Sequence, residues 1–138
     1  MNTHFVSTNF RGGMAFTSHI KEHSLVTDTI PEDGGNNEGP GPKRLMLVSL
    51  AGCTGIDVVG ILNKMKVNFS DFSIDTEATL SDTHPRTYVH VKVLYKIKLA
   101  DEHRAKMEKA VNLSVDKYCG VMAMFKTFAK LETEIVYL

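Results

Sequence analysis

The chain is poor in cysteine and carries no net charge, and each shortage excludes a class of protein. Only two cysteines occur in 138 residues, Cys53 and Cys119. That is too few for a secreted disulfide scaffold, and their wide separation fits neither a C-x-x-C redox motif nor a zinc knuckle. Any joint chemistry requires the fold to bring them together. Sixteen Lys and Arg balance sixteen Asp and Glu, with no tail of one sign. Nucleic acid is therefore not an expected partner, because such binding rests on a clustered basic face. The start, Met1-Asn2-Thr3-His4, lacks a basic stretch followed by an apolar run, which makes the cytoplasm the expected location. Among six histidines the closest pair is His19 and His23, on a segment that reads as strand and turn, so no metal site is expected. No internal repeat or low-complexity tract is present.

What remains is an ordinary globular composition, 43% hydrophobic and 23% charged, in a length that suits one domain. Residues 1–30 alternate β-favouring stretches with turn residues and predict an antiparallel meander: Phe5 to Thr8, a turn at Arg11-Gly12-Gly13, Met14 to Ile20, and Ser24 to Ile30. Residues 31–42 hold Gly34-Gly35, Asn36-Asn37, Gly39 and Gly41 with almost nothing apolar to bury, which predicts a mobile loop.

Pro42 then opens a helix over 43–67, about 36 Å long. Between Arg44 and Lys64 its single formal charge is Asp57, and apolar residues occur on every side. A helix of that kind must be buried all round. Asp57, Asn63 and three glycines make a poor membrane span, so no membrane is expected. A chain this small covers so long an apolar helix poorly, which leaves a second subunit to cover it and predicts a homodimer.

The alternation of Phe72, Ile74, Ala78 and Leu80, then Val89, Val91, Val93, Tyr95, Ile97 and Leu99, predicts a β-hairpin over 69–99 turning at Thr83-His84-Pro85. Residues 101–128 read as helices: an amphipathic one from Asp101 to Tyr118 with Ala105, Ala110, Val111 and Val115 inward, a break at Cys119-Gly120, and a short one to Phe128. Residues 130–138 form a terminal strand. The fold class is α+β, antiparallel sheets around a long buried central helix.

Cys53 is flanked by small residues in Leu50-Ala51-Gly52-Cys53-Thr54-Gly55, and Cys119 lies at a helix break beside Lys117, where free N–H groups and a cation favour a thiolate. A free cysteine also serves as a small core hydrophobe. The wording around both positions goes further. The run from Pro42 to Val59, PKRLMLVSLAGCTGIDVV, resembles the first cysteine motif of the OsmC/Ohr family, and Leu113 to Cys119, LSVDKYC, resembles the second.

That resemblance, which covers the chain from about Arg11 onward, implies an intertwined homodimer and a thiol-dependent peroxidase. By position it makes Cys53 the peroxidatic residue, oxidised to a sulfenic acid by an organic hydroperoxide, and Cys119 the residue that closes a Cys53–Cys119 disulfide. It also implies an external dithiol reductant and no bound cofactor, a cation from Arg11 in Phe10-Arg11-Gly12-Gly13, and an apolar substrate pocket around Met46, Leu50, Met122 and Phe125. Two positions depart from the family pattern. Lys43 and Arg44 stand where a glutamate usually follows the helix-initiating proline, and Gly120 stands where a proline often follows the second cysteine. These departures keep open a non-enzymatic reading on the same fold, a dimeric binding protein for a small apolar ligand. Asp57, one turn after Cys53, opposes a thiolate there and is expected to bond a neighbouring group instead.

Overall fold

The computed structural model describes residues 1–138, which divide into two compact units, Met1–Met46 and Leu47–Leu138. In the first, β1 (Ser7–Gly12), β2 (Ala15–Ile20) and β3 (His23–Thr27) pair in sequence order as an antiparallel meander. Its first strand runs later than the sequence suggests. Arg11 and Gly12 belong to β1, and the turn falls at Gly13-Met14, where Gly13 takes a positive φ of 59°.

The segment after β3 is a loop, as expected, and specific hydrogen bonds shape it. Buried Asp28 organises it: its carboxylate accepts the backbone N–H of Thr29 (2.7 Å), Glu38 (3.0 Å) and Asn36 (3.2 Å). Main-chain bonds from Asn37 to Thr29, Gly35 to Ile30 and Asp28 to Pro40 complete the wrap. A Cβ on Gly35 or Gly39 would run into the carbonyls of Thr29 and Val26, so these glycines permit a close approach rather than supply flexibility. The segment needs few apolar contacts because one carboxylate satisfies three of its donors.

The long helix α1 (Pro42–Lys64) begins and ends within three residues of its predicted limits. In the second unit, β4 (Ser70–Leu80) and β5 (Tyr88–Lys98) form the expected hairpin. Next come a single 3-10 turn (Asp101–His103), α2 (Arg104–Leu113), a π-helical turn (Ser114–Tyr118) and α3 (Gly120–Phe125). The terminal strand β6 (Lys130–Tyr137) then lies beside β5.

Three details differ from the sequence reading. The β5–β6 ladder is parallel, so this sheet is mixed rather than antiparallel throughout. The helical segment between the two strands supplies the crossover that a parallel pair requires. A register shift between Thr79 and Leu80 pairs Leu80 with Tyr88, which turns Tyr88 inward and leaves Val89 exposed. The expected helix from Asp101 to Tyr118 is broken into three pieces, with Ala105 exposed and Met107 buried.

Val91, Val93, Tyr95 and Ile97 of β5 are fully buried, and Leu50, Thr54, Val58 and Leu62 of α1 join the same core at helical i, i+4 spacing. Met107, Ala110 and Val111 of α2 and Met122 and Phe125 of α3 close it. Helix α1 is thus buried along one stripe, not all round: within one chain, Ile56 keeps 76% and Val48 64% of its surface exposed.

Below its folded-state pKa the Asp28 carboxyl gains a proton and loses acceptor strength for three N–H groups. That pKa is depressed from 3.8, chiefly by the Glu38 and then the Thr29 backbone hydrogen bonds. A depressed acid contributes stability that is complete above its unfolded pKa and disappears as pH falls through the folded one. Asp28→Asn should therefore raise proteolytic cleavage within 31–41 at pH 7 by roughly fivefold or more, measured by limited proteolysis with mass spectrometry, while leaving 47–138 intact. Unchanged cleavage would remove Asp28 as the organiser.

Candidate functional site: a buried dithiol over a hydroxyl chain

Helix α1 and the π-helical turn bring the two cysteines together. Cys53 projects from α1 between the exposed Gly52 and the buried Thr54, and is itself half-buried. Cys119 follows the π turn, whose wider i to i+5 closure is made by the Cys119 N–H donating to the Ser114 carbonyl at 2.9 Å. Lys126 steadies that turn by donating to the Val115 carbonyl at 2.7 Å. The chain then reverses into α3, where the Cys119 sulfur caps the helix by accepting the Met122 N–H at 3.2 Å.

The two cysteines are close enough for the Cys53 side chain to favour the protonated form of Cys119. Cys119 is only 3% exposed. Burial pushes its thiol up to about 11, and the Cys53 side chain adds to this, against the opposing pull of the Met122 N–H. The helix break was expected to favour a thiolate at Cys119. Desolvation outweighs that effect, so Cys119 stands as a neutral thiol.

Beside the dithiol runs a chain of side-chain hydrogen bonds through residues that the sequence reading left unassigned. Tyr95 and Thr54 are joined at 2.7 Å, Thr54 and Ser114 at 2.8 Å, and Ser114 donates to Asp57 at 2.9 Å. The proton order follows from counting. Ser114 has one proton and gives it to the carboxylate, so it accepts from Thr54, and Thr54 in turn accepts from Tyr95. Burial pushes the Tyr95 phenol up to about 12, which keeps its proton in place as the first donor. Tyr95, Thr54 and Ser114 are fully buried, while Asp57 reaches the floor of an open cleft that Lys64 and Lys109 also line. Asp57 thus has the bonded partner expected of it.

The signal for this chain was present in the sequence. Taking Leu50, Val58 and Leu62 as one stripe puts Thr54 on it, and extending the inward face of Met107, Ala110 and Val111 reaches Ser114. A helix read as apolar on every side offered no face on which to place them.

The other expected site residues fall as follows. Leu50, Met122 and Phe125 are buried in the closed core, and Met46 is exposed near the start of α1. Arg11 is half exposed and pairs with Glu38 at 3.4 Å. An Arg–Glu pair is therefore present, with its carboxylate drawn from the segment before Pro42 and not from the helix start, where Lys43 and Arg44 stand. A cavity of about 820 Å³ is an open apolar groove between α1 and β4, lined by Val48, Ala51, Gly52, Ile56, Phe72 and Ile74 among others.

Comparison with known proteins identifies relatives of the whole fold. A family profile described as OsmC-like protein matches residues 34–134. The chain is 30% identical over 104 residues to Protein YhfA of Escherichia coli (strain K12), covering 75% of each. A hypothetical protein from Aquifex aeolicus VF5 is 27% identical and superposes with a TM-score of 0.81 over 100% of this chain and 99% of that one. An organic hydroperoxide resistance protein OsmC from Legionella pneumophila shares the fold, at a TM-score of 0.69 and 16% identity over 99% and 98% of the chains.

Burial shields Cys119 and leaves Cys53 partly open. At pH 8, iodoacetamide should alkylate Cys53 and leave Cys119 at least about tenfold less modified, with Cys119 labelling rising only as pH approaches 11. Peptide mapping after timed quenching reads both rates. Equal labelling at pH 8 would mean that Cys119 is not shielded.

Proposed function

This chain belongs to the OsmC-like protein family, and from that premise we propose that it is a thiol-dependent peroxidase acting on organic hydroperoxides. One observation carries the reading: two free cysteines from distant parts of the sequence come together as neighbours, one half-buried and one sealed. The half-buried thiol is placed to meet a small substrate. The sealed one is placed to meet only its neighbour.

In the first step the Cys53 sulfur attacks the outer oxygen of a hydroperoxide. The O–O bond breaks, Cys53 becomes a sulfenic acid, and the alkoxide leaves and takes a proton to become the alcohol. Cys119 then attacks the sulfenic sulfur. Its proton joins the departing hydroxyl as water, and a Cys53–Cys119 disulfide remains. An external dithiol restores both thiols by exchange and is itself oxidised to a disulfide. The cation for the first step is assigned to Arg11, whose guanidinium is already paired with Glu38.

The same reading makes the protein a homodimer. An apolar groove along α1, with Ile56 and Val48 exposed on that helix, is a surface that a soluble chain covers with a partner, and the partner proposed is a second copy. The alternative, a binding protein for a small apolar ligand, draws on the same groove and on Lys43 and Arg44 at the start of α1.

Single turnover with stoichiometric cumene hydroperoxide, followed by thiol counting and intact mass, separates the two readings. The peroxidase loses both thiols and about two hydrogens; the binding protein keeps both thiols. Cys53→Ser should reduce peroxide consumption to the uncatalysed rate, whereas Cys119→Ser should consume about one equivalent and then overoxidise. The assembly has its own test. Light scattering should give twice the chain mass for the native protein and the single chain mass for Ile56→Glu, since a buried carboxylate on an apolar interface costs several kcal/mol. A native single-chain mass would overturn the dimer.

A further inference from the structure

Ser114 is bonded at both ends to parts of the site that have to move together. Its hydroxyl donates to Asp57 and accepts from Thr54, both on α1, one residue and one turn beyond Cys53. Its carbonyl accepts the N–H of Cys119 and so closes the π turn that presents the second thiol. One residue thus joins the helix carrying one cysteine to the backbone carrying the other. Thr54 is held from its far side by Tyr95 of the sheet.

We infer that Ser114 is a positioning residue for disulfide closure, clamping the Cys119 turn to α1 through Thr54 and Asp57 so that the two sulfurs stay within bonding reach. The inference rests on the dithiol reading above and extends it to residues that touch neither peroxide nor reductant. A π turn packs its backbone less regularly than an α-helix and reopens readily into one. Lys126 ties the turn to the end of α3 and not to α1, so without the Ser114 hydroxyl the turn would let Cys119 swing with α3. The Ser114 hydroxyl, fully buried and holding both a donor and an acceptor bond, fixes the turn against α1 at the residue where it begins. Its loss would lower the effective concentration of one thiol at the other, while Cys53, carried on α1, keeps its own access to solvent.

The bond concerned forms between the Cys53 and Cys119 sulfurs, with two electrons and two protons passing to glutathione disulfide, which becomes two glutathione molecules. Equilibration of the full-length chain in glutathione buffers therefore tests the clamp without any peroxide. Ser114→Ala and Thr54→Val should each lower the equilibrium constant for the intramolecular disulfide by about tenfold, a shift of about 30 mV, while Thr54→Ser, which keeps the hydroxyl, should stay within about twofold of the native protein. The Cys53 alkylation rate should be the same in all four proteins. A residue that only stabilised the fold would move the melting temperature and not this constant.

Native disulfide stability in folded Ser114→Ala overturns the inference, as does a native chain that forms no intramolecular disulfide at all. Should Ser114→Ala fail to fold, Thr54→Val severs the same chain one link away and decides the question. Failure of the peroxidase reading looks different: the native thiols survive cumene hydroperoxide yet still equilibrate with glutathione.

Discussion

Thr54 sits where a helix packed on a sheet ordinarily places another leucine or valine, and much of the site depends on how its hydroxyl is satisfied. The stripe Leu50, Thr54, Val58, Leu62 seats α1 on the core. Three of the four need only apolar neighbours. An unpaired hydroxyl at the remaining position would cost roughly 1–3 kcal/mol, a large fraction of a small domain's stability. The fold supplies two partners, Tyr95 from the central strand and Ser114 from the π turn, and the chain ends on a carboxylate that has access to water. Each member then has a defined donor and acceptor, so the network selects one register of α1 against β5 and one conformation of the turn. A leucine at position 54 would pack without specifying either.

The same arrangement sets the unequal standing of the two cysteines. Cys53, next to Thr54 on α1, falls just off the buried stripe and stays half-buried. Cys119 is drawn inward by the turn that Ser114 closes, and it trades solvent for one N–H donor and one thiol neighbour. A single weak hydrogen bond to sulfur does not replace hydration of a thiolate, so burial determines the protonation state. The helix N-terminus lowers the cost of the charged form without removing it.

How much of this was legible depended on the range of the interaction involved. The hairpin and the limits of α1 were legible because period-two and period-3.6 patterns act locally, and the cysteine pair because both motifs are short and contiguous. The hydrogen bonding of the loop after β3 was not legible because it rests on one side chain, Asp28, whose three acceptor bonds leave no periodic trace. Val89 was placed inward because a one-residue register shift at Leu80 inverts every later alternation back to the turn. The parallel pairing of β6 was missed because strand direction is decided by the crossover and not by the strand's own residues.

The expectation that α1 is buried all round shows how a correct premise can outrun a single chain. The premise was apolar composition, and it holds: Val48, Ala51, Ile56 and Val59 all line the groove opposite the core stripe. One three-stranded sheet presents one face, and a helix about 10 Å across cannot place its whole circumference against it. On the groove side Gly55 brings α1 close to β4, where an added Cβ would sit 3.2 Å from Ile74. Small residues there keep the helix tight on its own sheet and leave a shallow channel in place of a ridge. A channel lined on both walls by apolar side chains, with Val48 and Ile56 left exposed along it, calls for an apolar cover from outside the chain. An isologous contact lets one apolar patch serve on both copies, which is why the proposed partner is a second copy and not an unrelated protein.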